Sequence, residues 1–254
     1  MLEHFDAVSA RDTLVKAIRE LAAEQGFDKV VIGISGGKDS LLLLHALSLY
    51  KRFTHKDFSL QAITVHNGIG HPDFSPVESL CRSLEIPYRI VETQIGDIVF
   101  NYRHEKNPCA LCAKMRRAVL ANTCVEMKCN KLALGHHRED VINTLMLSLL
   151  HEGRFRTFHP CTTMSRTGIT VIRPLVYLPE SHVRHMMKVL NLPVVPSCCP
   201  ADGNTERETI SRRISQIRKI YPDFSERLLH ALQNEPYELW QKHPEATPPD
   251  HTEV

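Results

Sequence analysis

Apolar residues recur every three to four positions through ARDTLVKAIRELAAEQGF (10–27), which predicts an amphipathic helix ending near Gly26. The pattern then changes to DKVVIGI (28–34), a continuous apolar run of the kind that forms a strand buried on both faces. Further strands are predicted at SLQAITVH (59–66), IPYRIVE (86–92), NKLALGHH (130–137) and ITVIRPL (169–175). Between and after them lie helical patterns at LLLLHALSLYK (41–51), from about Ser75, at CALCAKMRRAVLANTCVEMK (109–128), at REDVINTLMLSLLHEG (138–153) and at ESHVRHMMKVLN (180–191). TERETISRRISQIRKI (205–220) is a further, strongly basic helix. Strands alternating with helices define an α/β fold, a doubly wound parallel sheet with helices on both faces. Three segments follow: an N-terminal helix (1–26), the α/β domain with its CALC helix and C-terminal basic helices (27–234), and a proline-rich tail (235–254).

In doubly wound sheets ligands bind beyond the carboxyl ends of the strands. SGGKDS (35–40) follows the first strand, HNGIG (66–70) the second and GHHRED (135–140) the fourth, so three polar, glycine-bearing ends converge on one crevice. The glycine pair lets backbone N–H groups approach a small anion, and the helix that starts there attracts it. SGGKDS therefore reads as a phosphate or pyrophosphate cradle. It has neither the GxxxxGK[ST] nor the GxGxxG spacing.

Charge adds one feature. The formal net charge is only +2, but the tail carries five acids against one lysine, so the body is basic and suits an acidic partner. No apolar run approaches the roughly 18 residues of a membrane span, and the first residues lack a basic-then-apolar leader, which predicts a soluble cytoplasmic protein without membrane contact. Of eight cysteines, Cys81, Cys124, Cys129 and Cys161 stand alone. CALC (109–112) and SCCP (197–200) differ: CxxC at a helix start brings two thiols together, and one from SCCP could join them. That set suits an iron–sulfur cluster with one iron open, a structural zinc site completed by a histidine, or a redox pair.

SGGKDS, with CALCAKMRR (109–117), GHHREDVINTL (135–145), VIRPL (171–175) and CPADGNTER (199–207) in that order, resembles the iron–sulfur-dependent tRNA thiolases of the adenine-nucleotide α-hydrolase superfamily, and most of all the tRNA 2-thiocytidine synthetase family. The resemblance covers about residues 25–235. It implies ATP cleaved between its α and β phosphates, magnesium, a 4Fe–4S cluster, tRNA as substrate, a sulfide or persulfide donor and a homodimer. It further implies that Ser35, Gly36, Gly37, Asp39 and Ser40 hold pyrophosphate. Lys38 offsets leaving-group charge, and Asp39 helps hold magnesium. Val65 and the HNGIG turn flank the adenosine, while Gly135, His136, His137 and Asp140 form the opposite wall. Cys109 and Cys112 become cluster ligands, with Cys199 as the third and Cys198 its alternate. Where that family's second strand typically ends in aspartate, this chain has His66 and Asn67.

Lys114, Arg116 and Arg117 follow CALC, and Arg207, Arg212 and Arg213 lie on the basic helix. They form either a phosphate-binding rim for an RNA stem or a solvated face paired with Glu206 and Glu208. Phe155 and Phe158 are candidates to stack on an extruded base, with core packing the competing role.

Overall fold

The computed structural model describes residues 29–54, 58–103, 108–203 and 205–234. The predicted N-terminal helix and the acidic tail, including Trp240, lie outside them. The strands are β1 (Lys29–Gly33), β2 (Ser59–His66), β3 (Tyr88–Glu92), β4 (Lys131–Ala133), β5 (Cys161–Thr163) and β6 (Thr170–Ile172). The helices are α1 (Lys38–Phe53), α2 (Ser75–Ser83), α3 (Pro108–Glu126), α4 (Arg138–Leu147), α5 (Glu180–Leu190), α6 (Glu206–Ile220) and α7 (Phe224–Asn234).

The sheet order is β3-β2-β1-β4-β6-β5. β1 pairs with β2 on one side and β4 on the other, all parallel. The strand order reverses between β1 and β4, and the loops leaving these two strands therefore open a crevice together. Alternation along β1 explains its unbroken apolar run. Val30 and Ile32 pack with α1 and α5, whereas Val31 joins Leu120 and Cys124 of α3 on the other face. Among the described residues, no helix is long and apolar enough to cross a membrane.

The sheet departs from the wholly parallel expectation at one edge, where β5 runs antiparallel to β6. Three short residues of β5 and the turn through Gly168 (φ +69°) give no period to read, so Cys161, taken as isolated, is in fact an edge-strand residue. β6 is also shorter than ITVIRPL. Pro174 cannot donate to the ladder, and the strand stops two residues before it.

Candidate active site

The SGGKDS loop is knitted by its own hydroxyls. Ser35 N–H donates to Ser40 Oγ at 3.1 Å, and that hydroxyl donates to the Gly37 carbonyl at 2.9 Å. Gly36 takes φ +84°, the left-handed region that glycine enters without penalty, and its carbonyl accepts from Val195 N–H at 3.0 Å. Gly37 caps α1 without a side chain, so the first N–H groups of the helix stay available to an anion.

Behind the loop lies a charge relay. Lys38 Nζ sits 3.0 Å from Asp39 Oδ2 and 3.2 Å from Glu180 Oε1. Burial draws the Lys38 pKa down, but the two carboxylates outweigh it and hold the ammonium above its usual range. Asp39 is raised by burial, against the opposing pull of Lys38 and His137. Its Oδ1 is buried without a hydrogen-bond partner, as expected of a carboxylate that awaits a cation.

The opposite wall comes from the end of β4. His137 caps α4, and its N–H donates to Asp140 Oδ2 at 3.0 Å. Asp140 Oδ1 accepts from Arg207 at 3.0 Å, and Arg207 also donates to Thr144 at 3.3 Å. Burial takes the His136 pKa down to about 4, and Arg173, Arg207 and Arg117 push the same way, so its ring is neutral at pH 7. Against His136 lies Phe158, with centroids 4.9 Å apart, and Arg173 covers the same Phe158 ring at 4.8 Å. Phe158 is thereby a packing residue and not a free platform for a base.

Sequence reasoning missed Glu139. Its carboxylate accepts from Arg138 at 2.8 Å and from the first N–H of α5, at Glu180, at 2.7 Å. It also lies 3.5 Å from His137 Nδ1. Burial alone would raise its pKa, but His137 and Arg138 bring it down to about 2. A depressed carboxylate stabilises the fold fully above its unfolded pKa near 4.5 and loses that contribution as pH falls toward 2. Glu139→Gln should therefore cost roughly 2–3 kcal/mol at pH 7. Denaturant unfolding at pH 7 and pH 3 checks this, since the gap to the parent must narrow at the lower pH.

Two clefts adjoin here. One, of about 320 Å³, runs from Ser35, Asp39 and Ser40 to Gly135, His136 and Asp140, with Arg116, Arg117 and Arg207 along it. The other, of about 360 Å³, is lined by Cys109, Cys112, Cys198 and Cys199. Ser35, Val65, Ala113 and Arg116 belong to both. Burial raises the Cys109 and Cys112 thiols, Arg116 opposes this at Cys112, and Cys199, which lines the same cleft, pushes both up. Cys198 lines the same cleft, with its Cβ 2.8 Å and its Sγ 3.2 Å from where a Gly70 side chain would start. Cys109, Cys112, Cys198 and Cys199, from α3 and the 197–200 loop, line one cleft, and thiols are the donor type that holds a polynuclear iron–sulfur group. Among the described residues no three His, Cys, Asp or Glu groups are gathered tightly enough for a single ion.

The basic residues expected on one RNA rim divide. Arg116, Arg117 and Arg207 line the nucleotide crevice, while Lys114, Arg212 and Arg213 are exposed on the surface. Arg207 departs from the rim because Asp140 and Thr144 capture it.

A family described as the PP-loop domain matches residues 10–217. A relative from Anaeromyxobacter dehalogenans, a tRNA-cytidine(32) 2-sulfurtransferase, is 37% identical over 222 residues, covering 85% of this chain and 76% of its own length. One of the same name from Syntrophotalea carbinolica is 33% identical and covered to 86% on both sides. Among solved structures, the U34-tRNA thiolase NcsA from Methanococcus maripaludis, with its [4Fe-4S] cluster, superimposes with a TM-score of 0.76 at 25% identity, over 99% of this chain and 88% of that one. An NMN synthetase from Francisella tularensis shares the fold, with a TM-score of 0.55 at 15% identity, over 92% of this chain and 98% of that one. The chain belongs to the PP-loop domain family, whose adenine-nucleotide α-hydrolase fold it has.

Proposed function

We propose that this chain is an ATP-dependent tRNA thiolase that exchanges the 2-oxygen of a cytidine for sulfur. Its curated relatives carry that activity in their names. The observation that carries the reading is the wall shared by a phosphate-binding crevice and a three-thiol cleft, with Arg116 between them. Activation and sulfur entry need adjoining sites, because an adenylated base is exposed to water for as long as it must travel.

ATP and magnesium enter along α1. The N–H groups at the start of that helix receive the pyrophosphate, and Lys38 exchanges its carboxylate partners for the departing charge. Asp39, whose Oδ1 has no hydrogen bond and lies 3.7 Å from His137 Nε2, would help hold the metal. The base carbonyl attacks the α-phosphate and pyrophosphate leaves. Arg116, Arg117 and Arg207 face the adenylate with positive charge. Hydrosulfide then adds to the carbon and gives up its proton, and AMP departs with the original oxygen; a persulfide donor would add through its outer sulfur and need a thiol to cleave the resulting disulfide. Cys109, Cys112 and Cys199 would hold a 4Fe–4S cluster, which would supply the iron chemistry that binds sulfide next to the activated base. Eight free cysteines suit a reducing compartment, and we place the reaction in the cytoplasm.

The test is direct. Cluster-loaded protein given tRNA, ATP, magnesium and sulfide should yield 2-thiocytidine and AMP by mass spectrometry. AMP without a sulfur-bearing nucleoside would refute it.

The exposed cations of α6 carry a separate expectation. Arg212 and Arg213 are solvent-facing, and Arg212 donates only to Thr209 at 3.3 Å among its own hydrogen bonds here. Replacing both by alanine should weaken tRNA binding in every sequence context and reduce the slope of log affinity against log salt by about 1–2. Filter binding across a salt series measures both.

A further inference from the structure

We infer that His66 and Asn67, at the carboxyl end of β2, read the 4-amino group of the target base and set the preference for cytosine over uracil. The inference rests on the thiolase reading above. The register of β2 against β3 puts His66 opposite Glu92, and His66 Nδ1 lies 2.6 Å from Glu92 Oε2. A carboxylate only accepts, so Nδ1 carries the proton, and the Nδ1–H tautomer leaves Nε2 as an acceptor. Nε2 is buried and has no partner. Asn67 repeats the arrangement. Its Nδ2 donates to Cys112 Sγ at 3.7 Å, which fixes the amide so that Oδ1 is its free end, and Oδ1 is likewise buried and unpartnered.

Both residues line the three-thiol cleft. At its boundary with the nucleotide crevice, Arg116 Nε is a third buried polar atom without a partner, and this one is a donor. Buried polar groups in native proteins are nearly always paired, so two acceptors and a donor left open on one cleft call for a ligand of matching pattern. Cytosine supplies it. Its reacting carbonyl must lie at the junction beside Arg116. Next around the ring come N3, an acceptor for Arg116, and the 4-amino group, whose two N–H bonds suit His66 Nε2 and Asn67 Oδ1. Uracil offers N3–H and O4 instead and fails at each position. Sites built on buried hydrogen bonds reject a mismatched base far more strongly than apolar pockets do.

A chemical double-mutant cycle tests this on the cluster-loaded enzyme. One tRNA carries cytidine at the target position, and a second carries the 2-pyrimidinone nucleoside, which lacks only the 4-amino group. For the parent enzyme, removing the amine should lower kcat/KM by about 10- to 100-fold. His66→Leu should lose about the same factor on cytidine and almost nothing further on 2-pyrimidinone. His66→Gln, which can restore an acceptor, should recover part of the discrimination. Equal losses on both substrates would reduce His66 to a structural role and overturn the inference, as would an unchanged preference in His66→Leu. No thiolation of either tRNA by the parent enzyme would overturn the underlying reading as well.

Discussion

Serine at Cys109, Cys112 or Cys199 is expected to abolish thiolation together with the protein's visible absorbance, whereas Cys198→Ser should keep both. The reason lies in what each of the four thiols neighbours. Cys199 is close enough to Cys109 and Cys112 to raise each of them, while Cys198 packs against Gly70 on the flank of the same cleft. A cluster held by three thiolates cannot spare one of them for a hydroxyl, and losses well beyond the 10- to 100-fold typical of outer-shell contacts follow. The rival chemistries give different patterns. A redox pair would need Cys109 and Cys112, would tolerate Cys199→Ser, and would show no visible band in the parent protein. A zinc site would be colourless throughout. Anaerobic absorbance spectra of the four variants, with 2-thiocytidine measured by mass spectrometry, separate these outcomes. Full activity in Cys199→Ser, or a colourless Cys198→Ser, would sink the three-thiolate arrangement.

The parts of this site that are local in sequence were legible before any coordinates. VVIGI followed by SGGKDS carries both its strand and its turn in eleven adjacent residues, and the structure keeps that junction, with α1 starting at Lys38. The fourth strand was legible too, but it ends at Ala133, and His136 and His137 lie on the short connection into α4. What stayed hidden depends on pairing between distant segments. Glu180 reaches Lys38 only because α5 packs against α1, and Glu139 reaches the start of α5 across 41 positions. Arg207 looked like one of several surface cations until the fold brought it to Asp140, 67 positions away. The cleft that SCCP shares with CALC is of this kind too: the cysteine spacing suggested that one thiol of SCCP could join the pair, and the choice of Cys199 came from the family resemblance. The antiparallel β5 escaped for a different reason: three residues are too few for a period-two pattern to declare itself.

Gly135→Ala is the second large effect expected, and it comes from backbone geometry and not from chemistry. A Cβ at this position would stand 2.8 Å from both the carbonyl carbon and oxygen of Asp39, and 2.9 Å from the Ser40 nitrogen. All three are backbone atoms of the first turn of α1, the turn whose N–H groups form the anion cradle. No side chain can swing aside to relieve the clash, so α1 must move away from the end of β4. The displacement falls on the residues proposed to hold pyrophosphate. Overpacking of this sort costs typically 1–3 kcal/mol of stability, which leaves a domain of this size folded. Catalysis is far less forgiving, since a shift of about 1 Å at a positioned group can cost on the order of 100-fold. AMP formation should accordingly drop by about that factor or more, while thermal melting shows only a modest loss. Parental AMP formation in Gly135→Ala would mean that the contact between β4 and the first turn of α1 does not set the cradle, and the nucleotide geometry argued from it would have to be abandoned.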